Sequence, residues 1–259
     1  MISGKNISFS YSAERPFIDQ LDIVVPAGRI TTIIGPNGSG KSTLLHMLNN
    51  LAKPQKGQVF INETEMRKLK TKEVAKRMAT VYQQNISPED ITVKQLVYFG
   101  RTPHKKYFEF ENDEDENIVW WAVHSTNLEE FTDKKLVELS GGERQRAWIA
   151  MALAQNPEVL FLDEPTTYLD MFHQLEILEL VKKLNESKGI TVVMVLHDLN
   201  QAIKYSDYLV VMKSGKIVRE GTPCEVIDED LLKRVYRIEG IINQCSMNKT
   251  FYFIPTKVC

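Results

Sequence analysis

The sequence predicts an α/β fold, and three kinds of segment lead to that prediction. Short apolar runs of the kind found in buried parallel strands recur along the chain, with helical segments between them. Near the start, residues 2–11 and 21–25 alternate apolar and polar side chains, which indicates antiparallel strands. Between Gln84 and Pro157 no convincing strand appears, and the amphipathic stretches 92–100 and 117–127 predict a helical insertion in the α/β core.

The remaining elements follow from their local patterns. The predicted strands of the parallel sheet are 29–34, 79–82, 159–162 and 190–196. The predicted helices are 42–50, 141–155, Met171–Lys188, Leu199–Tyr205 and 228–237. Two hairpins are predicted, one from 207–212 and 215–220 and a terminal one from 240–246 and 251–255 around a turn at 247–250. The acidic run 109–116 is interpreted as a solvated approach to a helix.

Bulk properties exclude several classes of protein. A formal net charge of −2 over 259 residues gives no global attraction for nucleic acid or anionic lipid. Cys224, Cys245 and Cys259 lack metal-ligand spacing and are interpreted as reduced thiols of an intracellular protein. The start has no apolar signal-peptide core, and the apolar run 190–196, which Thr191 interrupts, is far shorter than the roughly 20 residues of a membrane span. For any membrane process, we expect another subunit to supply the membrane part.

A glycine-rich segment follows the predicted strand 29–34 and opens a helix. It reads Gly35-Pro36-Asn37-Gly38-Ser39-Gly40-Lys41-Ser42, with Thr43 next in the helix. This is the context of a phosphate-binding loop, in which glycines let backbone N–H groups surround a β-phosphate. The helix N-terminus adds favourable partial charge. We expect Lys41 to reach the β- and γ-phosphates and the Ser42 hydroxyl to ligate Mg²⁺, so the segment predicts ATP binding.

Two carboxylates, Asp163 and Glu164, end the apolar strand 159–162. They are expected at the carboxyl edge of a parallel sheet, where ligands bind. Beside a phosphate loop they predict that Asp163 holds Mg²⁺ through water and that Glu164 orients or deprotonates the attacking water. That second role contributes typically about 10²–10⁴-fold to a rate. The alternative is an acidic pair that only caps a helix, since Asp-Glu-Pro-Thr often starts one.

A second anion site is predicted at Ser140, Gly141 and Gly142, which precede a long helix. One chain does not need two such sites for one ATP, whereas a head-to-tail dimer does. Ser140 and Glu143 also fit a capping box, and the two interpretations are compatible because the cap aims the serine.

Residues 139–146, Leu-Ser-Gly-Gly-Glu-Arg-Gln-Arg, resemble the signature motif of ATP-binding cassette (ABC) ATPases. The resemblance runs from about Ser3 to Tyr236 in the family's order of motifs. It implies a RecA-like P-loop NTPase core with an antiparallel β subdomain and an inserted α-helical subdomain. It also implies a homodimer, in which Ser140 and Gly142 meet the γ-phosphate of an ATP held by the partner chain.

Further roles come from the same resemblance. His197, after the strand 190–196, matches the switch histidine that contacts the γ-phosphate. Gln83 matches the Q-loop glutamine, which senses Mg²⁺ and the γ-phosphate, although its neighbour Gln84 could be confused with it. Residues 167–170 resemble the D-loop, which crosses the dimer interface.

Tyr11 matches the aromatic residue that stacks on adenine in this family. Stacking of a base on an aromatic face contributes about 1–3 kcal/mol and reads base identity poorly. The rival interpretation is an edge-strand tyrosine that packs on the sheet.

These motifs predict a division of the chain. Residues 1–84 and 158–259 form the ATP-binding core, which includes the hairpin at about 240–259, and 85–157 form the helical signature subdomain. A single ABC transporter domain covers about 2–236. Residues 86–93, which follow the Q-loop glutamine, are predicted to receive a short cytoplasmic helix of a membrane subunit.

Within the family, the segment Gly100-Arg101-Thr102-Pro103-His104 and the segments 139–155 and 164–178 are similar to the iron–siderophore importer branch. Haem and cobalamin importers are close relatives, so the cargo stays open among these chelates. The branch implies membrane permease subunits, an extracellular substrate-binding protein and a place on the cytoplasmic face of the cell membrane. Exporter ATPases, and soluble ABC proteins of translation or DNA maintenance, are the alternatives. The soluble classes usually carry two cassettes or a long coiled coil, which 259 residues do not hold, so no nucleic-acid partner is expected.

Overall fold

The computed structural model describes residues 1–11, 16–86, 88–105, 112–244 and 251–259. They form two compact units, Met1–Lys68 with Val193–Cys259 and Leu69–Val192. The predicted division, with a signature subdomain at 85–157, stays a prediction.

The strands are β1 (Ile2–Phe9), β2 (Ile18–Val25), β3 (Ile30–Ile34), β4 (Lys56–Ile61), β5 (Thr64–Glu65), β6 (Met78–Val81), β7 (Val159–Asp163), β8 (Thr191–Val195), β9 (Tyr208–Lys213), β10 (Lys216–Gly221), β11 (Ile238–Gln244) and β12 (Phe251–Val258). The helices are α1 (Lys41–Leu48), α2 (Thr71–Arg77), α3 (Val93–Phe99), α4 (Asp113–Ser125), α5 (Gly141–Ala154), α6 (Met171–Lys188), α7 (Leu199–Tyr205), α8 (Pro223–Val226) and α9 (Glu229–Leu231).

The first unit contains the predicted antiparallel sheet, in the strand order β2-β1-β4-β5. Ile2 lies opposite Val25 on one side and Ile61 on the other. In β2, Ile18, Leu21, Ile23 and Val25 are buried while the residues between them are exposed. This alternation places one face of the sheet against the core, as the period of two requires. The sequence analysis did not predict β4, β5 or α2.

A parallel pair in the same unit positions the glycine-rich segment. Strand β3 is buried throughout and pairs in parallel with β9, with Ile34 opposite Val211. Strand β9 continues into β10 as the predicted hairpin, and Ser214 and Gly215 both adopt positive φ at its turn. Two consecutive residues of positive φ match the twist of the flanking strands. The carboxyl end of β3 therefore opens directly into residues 35–40, and α1 begins at Lys41.

The second unit holds the parallel pair β6 and β7 and the helices α2 to α6. Met78 lies opposite Val159, and Val81 lies opposite Leu162, so both strands end at the same edge. Among the described residues from Gln84 to Pro157 no strand forms, and the isolated bridge between Thr92 and Lys135 is the only β pairing. The prediction that this stretch is helical is confirmed. The boundary between the units falls within β8, which is fully buried.

The interpretation of the acidic run as solvated is wrong for one of its described members. Asn112 caps α4, and the acidic residues after it form the first helical turn, where negative charge is favourable. Asp115 is only 5 % exposed, and its carboxylate accepts a hydrogen bond from Arg101 Nε at 2.7 Å. The buried Arg101 guanidinium thus binds the Asp115 carboxylate, which the sequence pattern predicts to be exposed to solvent. Residues 109–111 lie outside the described residues.

The C-terminal part differs from its prediction in detail. The helix predicted over 228–237 begins at Asp228, which caps Leu231, but continues from Leu232 to Tyr236 with π-helical hydrogen bonding. The terminal hairpin is confirmed, with Ile242 opposite Phe253, and its strands extend beyond the predicted ends. The predicted turn at 247–250 and Cys245 lie outside the described residues, while Cys224 and Cys259 carry free thiols. In the part of the chain that is described, no helix is long and apolar enough to span a bilayer.

Candidate functional site

The predicted phosphate loop forms a tight turn between β3 and α1. Gly35, Gly38 and Gly40 all adopt positive φ. At Gly35, where φ is +149°, an added Cβ would lie 2.2 Å from the Met212 carbonyl oxygen of β9. Only glycine fits such an approach, because the left-handed region and the missing space both exclude a side chain. The neighbouring strand therefore fixes the loop before any ligand arrives.

Lys41 and Ser39 carry the chemistry of this loop. Lys41 is buried, and its Nζ donates hydrogen bonds to the carbonyl oxygens of Gly35 at 3.0 Å and Pro36 at 3.2 Å. The ammonium thus lies folded over the loop. Ser39 Oγ is also buried and has no hydrogen-bond partner among the described residues. A buried polar atom without a partner is costly in a folded protein. A phosphate oxygen would accept a hydrogen bond from the Ser39 hydroxyl, so the loop fits an anionic ligand.

Tyr11 joins the same region from the other side. Its ring is 73 % exposed, while its hydroxyl forms a hydrogen bond with the Thr43 hydroxyl of α1. Phe9 meets the ring edge-on at a centroid distance of 5.1 Å, and Phe17 lies 5.6 Å away. Since β1 ends at Phe9, Tyr11 lies beyond the strand and not on it, which weighs against the interpretation as an edge-strand tyrosine packed on the sheet. An exposed aromatic face, tethered to the helix of the phosphate loop, is suited to stack on a base.

His197 lies in the first unit, directly after β8. It is exposed, and the preceding residue, Leu196, donates a backbone hydrogen bond to Ile33 of β3 at 3.4 Å. Asp198 caps α7 by accepting from the Gln201 N–H at 2.8 Å. His197 thus lies between the end of a strand and a capped helix, and its role as the switch histidine stays a prediction.

In the second unit, Gln83 and Glu164 come together. The Gln83 amide donates a hydrogen bond to Glu164 Oε2 at 2.6 Å, and the Thr167 hydroxyl donates to the same oxygen at 3.1 Å. Glu164 itself adopts a φ of +52°, which is unfavourable for a side chain of this kind. Asp163, the last residue of β7, is buried. Gln83 thus contacts Glu164, and its assignment as the Q-loop glutamine in preference to Gln84 stays a prediction.

Thr167 is a functional candidate that the sequence analysis did not single out. It was grouped with the D-loop, and nothing in its spacing shows that its hydroxyl turns back to Glu164. The signal was available only as the Glu-x-x-Thr spacing after a strand, which is typical of a local turn. The Thr167 N–H does donate to the Glu164 carbonyl at 3.2 Å, so the turn itself aims the hydroxyl.

The signature segment forms the N-terminus of α5 with the predicted capping box. Glu143 N–H donates to Ser140 Oγ at 3.3 Å, and Ser140 N–H donates to Glu143 Oε2 at 2.7 Å. Hydrogen bonding to Ser140 lowers the pKa of Glu143, so that carboxylate stays ionised. Ser140 and Gly141 are both exposed, which leaves this end of the helix open to an anion from outside the chain.

An apolar patch lies beside the signature segment in the second unit. Tyr168, Met171 and Phe172 are 82 %, 77 % and 70 % exposed. Asp170 caps α6 between them by accepting from the His173 N–H at 2.9 Å. Large apolar side chains exposed together mark a surface that another molecule covers.

The side chains predicted to hold Mg²⁺ have suitable chemistry, taken one by one. Ser42 in the first unit offers a hydroxyl, and Gln83 and Asp163 in the second unit offer an amide carbonyl and a carboxylate. Oxygen ligands of this kind, completed by water and phosphate oxygens, are what a small hard cation takes.

Comparison with known proteins places these features in a family. The sequence profile of the ABC transporter family matches residues 18–167. The chain belongs to the ABC transporter family. The matched range covers the phosphate loop, the signature segment, Asp163 and Glu164.

Individual members of the family are similar over almost the full chain. The iron(3+)-hydroxamate import ATP-binding protein FhuC of Bacillus subtilis strain 168 is 45 % identical over 93 % of this chain and 89 % of its own length. The petrobactin import ATP-binding protein FpuC of Bacillus anthracis is 46 % identical over 100 % and 94 %. Among solved structures, the dimeric post-hydrolysis state of the ATP-binding cassette MJ0796, bound to ADP and Pi, superposes with a TM-score of 0.73. It is 32 % identical and covers 86 % of this chain and 99 % of that one. The predicted α/β fold class is confirmed.

Proposed function

We propose that this chain is the ATP-hydrolysing subunit of a membrane importer and that it energises uptake of a ferric siderophore. The observation that carries the proposal is the identity of 45 % and 46 %, over more than nine tenths of the chain, to two ATP-binding proteins named for ferric chelate import. The two are named for different chelates, hydroxamate and petrobactin. Similarity of the ATPase subunit therefore supports the class of cargo, and the individual siderophore stays open.

The phosphate loop is the binding half of the mechanism. Backbone N–H groups of residues 35–42 and the α1 N-terminus surround the β-phosphate, and Ser39 donates its buried hydroxyl to a phosphate oxygen. Lys41 exchanges its bonds to the Gly35 and Pro36 carbonyls for bonds to the β- and γ-phosphates. Tyr11 stacks on the adenine. Ser42, Gln83 and Asp163 would hold Mg²⁺ directly or through water, and the bound ion would supply neutralisation of phosphate charge.

Glu164 is the proposed general base for the attacking water. The structure shows its Oε2 already accepting from Gln83 and Thr167. These donors fix the orientation of the carboxylate, which would accept a proton from the attacking water. His197 donates a hydrogen bond to the γ-phosphate. Gln83 senses Mg²⁺ and the γ-phosphate and is hydrogen-bonded to Glu164, the general base.

Two copies of the chain form the working unit. In the proposed homodimer, Ser140, Gly141 and Gly142 of one chain meet the γ-phosphate bound to the other. The exposed cap of α5 and the apolar patch of Tyr168, Met171 and Phe172 support such an interface. The dimeric state of the similar cassette MJ0796 supports it as well. Charge-neutralising contacts at the γ-phosphate favour the closed dimer, and hydrolysis removes them.

A groove in the second unit is the proposed contact with the membrane subunits. It has a volume of about 930 Å³ and runs along α3, with Ile91, Tyr98, Phe99, Thr102 and Lys105 among its lining residues. Pro88, Asp90, Ile91 and Thr92 of the predicted docking segment line it, while Ile86, before them, is almost fully exposed. A permease would place a short helix here, so that the chain is held on the cytoplasmic face of the membrane. An extracellular substrate-binding protein would deliver the cargo to the permease.

Gene deletion combined with uptake measurement tests the proposal. Cells that lack the gene are compared for uptake of labelled ferric siderophores, haem and cobalamin, after complementation with wild type or with Lys41→Ala. We expect ferric-siderophore uptake to be lost and to be restored by wild type alone. If haem or cobalamin uptake is lost instead, that chelate is the cargo. Unchanged uptake of every chelate, with the protein found away from membranes, would reject import altogether.

A further inference from the structure

Gly100, Arg101 and His104 have no role in the mechanism above, yet all three contact the end of α5. Gly100 has an ordinary helical φ, so its need for glycine is one of space. An added Cβ would lie 2.2 Å from the Met151 carbonyl oxygen and 2.9 Å from the Ala154 side chain. The turn after α3 is thus pressed against the last turn of the signature helix, where no larger residue fits.

Two side chains of this turn donate hydrogen bonds to the end of α5. Arg101 donates through Nη1 to the Ala154 carbonyl at 2.8 Å, and His104 donates through Nε2 to the Gln155 carbonyl at 2.8 Å. The last carbonyls of a helix have no partner within it, and cations or N–H donors there also meet the negative end of the dipole. Since a carbonyl can only accept, the proton of His104 lies on Nε2. Arg101 is itself fixed by Asp115, and both side chains are buried.

Gln155 extends the contact to β6. Its side-chain amide donates to the carbonyl oxygens of Ala75, in the last turn of α2, and Met78, the first residue of β6. Strand β6 runs from Met78 to Val81, and Gln83 follows two residues later with its bond to Glu164. One residue at the end of α5 is therefore hydrogen-bonded both to the turn after α3 and to the strand that leads to the Q-loop glutamine.

The opposite side of the same turn faces the groove. Phe99, Thr102 and Lys105 line the groove, whereas Arg101 and His104 point to α5. Helix α5 is 14 residues long and begins at the Ser140 cap. At 1.5 Å per residue, it spans about 21 Å as a rigid element. The contacts of this turn therefore connect the groove wall to the signature segment through α5, and to Gln83 through Gln155 and β6.

We propose that Arg101, His104 and Gln155, which we call the α5 clamp, are positioning residues that transmit occupation of the groove to Ser140 and Gln83. The proposal rests on the proposed function, because it takes the occupant of the groove to be a membrane subunit. Burial lowers the pKa of His104, against the opposing effect of its bond to Gln155, so the neutral ring with a single donor is the form that serves the clamp. None of the three residues touches nucleotide in this scheme.

The test replaces His104, since removal of Arg101 would leave Asp115 buried without its cation and endanger the fold. His104→Leu removes the donor at similar volume. His104→Gln places an amide N–H near the position of Nε2. His124→Leu, at an exposed histidine at the end of α4, is the matched control. Each variant is compared with wild type as the isolated chain, and in proteoliposomes with the membrane subunits encoded beside its gene. The readouts are ATPase activity, its stimulation by those subunits and the uptake of ferric siderophore.

For His104→Leu, we expect stimulation by the membrane subunits to fall about fivefold or more, the usual size of a coupling between sites. The ATPase activity of the isolated chain and its KM for ATP should stay within about twofold, since the catalytic groups are intact. His104→Gln should restore most of the stimulation, and His124→Leu should behave as wild type.

Two results for His104→Leu would overturn the proposal. One is full stimulation by the membrane subunits. The other is a loss of ATPase activity in the isolated chain as large as the loss of stimulation, because that would show a structural role alone. A wild type that is stimulated but imports no ferric siderophore would reject the cargo and leave the clamp standing. A wild type without any stimulation would reject both.

Discussion

The phosphate loop and the signature segment are both helix N-termini that suit an anion, but they differ in how complete they are. At the phosphate loop, β9 holds Gly35 in place, Lys41 is folded inward and Ser39 is buried without a partner. At the signature segment, Ser140 and Glu143 are hydrogen-bonded to each other, and Ser140 and Gly141 are exposed while Gly142 is buried. The first is a preformed binding site. We propose that the second is a stable surface that becomes a site only when another molecule brings the anion to it.

The largest effect is expected when binding and turnover are separated at Glu164. Glu164→Gln should retain ATP binding through the phosphate loop, because the amide fills the same space. It should lose about 10²–10⁴-fold in kcat, because an amide cannot serve as a base. Phosphate release gives the turnover, and gel filtration with ATP and Mg²⁺ gives the closed dimer. If the variant keeps more than about a tenth of wild-type kcat, Glu164 is not the base.

A mixing experiment decides whether the signature segment serves a second chain. Lys41→Ala and Ser140→Arg should each be inactive alone. In their mixed dimer, one composite site carries both lesions and the other is intact, so equal mixing should restore about a quarter of wild-type activity. ATP hydrolysis over a series of mixing ratios provides the measurement. If no ratio restores activity, either both sites must fire together or the segment does not act in trans. Wild-type activity strictly proportional to concentration would argue against the dimer itself.

Substitution of Tyr11 tests ATP binding at the phosphate loop. Tyr11→Ala should raise the KM for ATP about tenfold and leave kcat nearly unchanged, since stacking on a base contributes about 1–3 kcal/mol. Tyr11→Phe keeps the ring and loses only the hydroxyl that bonds Thr43, so its KM should stay close to that of wild type. Steady-state kinetics over a range of ATP concentrations separates the two parameters. An equal rise in KM for both variants would assign the effect to the Thr43 bond and not to stacking.

The smallest effect is expected at Thr167. Thr167→Val removes the hydroxyl that donates to Glu164 Oε2 and leaves the Gln83 bond. We expect kcat to fall several-fold, up to about tenfold, with an unchanged KM for ATP, because one hydrogen bond to a charged group is lost. Thr167→Ser retains the hydroxyl and should retain the rate. Identical rates for Thr167→Val and wild type would show that Gln83 alone orients the base.

Much of the fold and of the candidate site was predictable because it depends on short stretches of chain. The turn between β3 and α1, the cap at Ser140 and the hairpin around Ser214 are each determined by residues within a few positions of one another. The acidic run shows the opposite case. Its charges favour solvent and a helix start, yet Asp115 is buried because Arg101, fourteen residues earlier, lies against it. The local pattern of charged residues does not show which distant side chain will pack against one of them.

By itself, the sequence determined the family, the α/β class, the phosphate loop and the residue types expected to bind and hydrolyse ATP. These follow from motifs in which spacing along the chain sets the geometry. Only the tertiary structure decided that Gln83 and Thr167 share one oxygen of Glu164, and that Arg101, His104 and Gln155 join the end of the signature helix to the start of β6. The physical reason is that these bonds connect elements whose packing depends on the whole unit, and a buried donor takes whichever acceptor that packing places beside it.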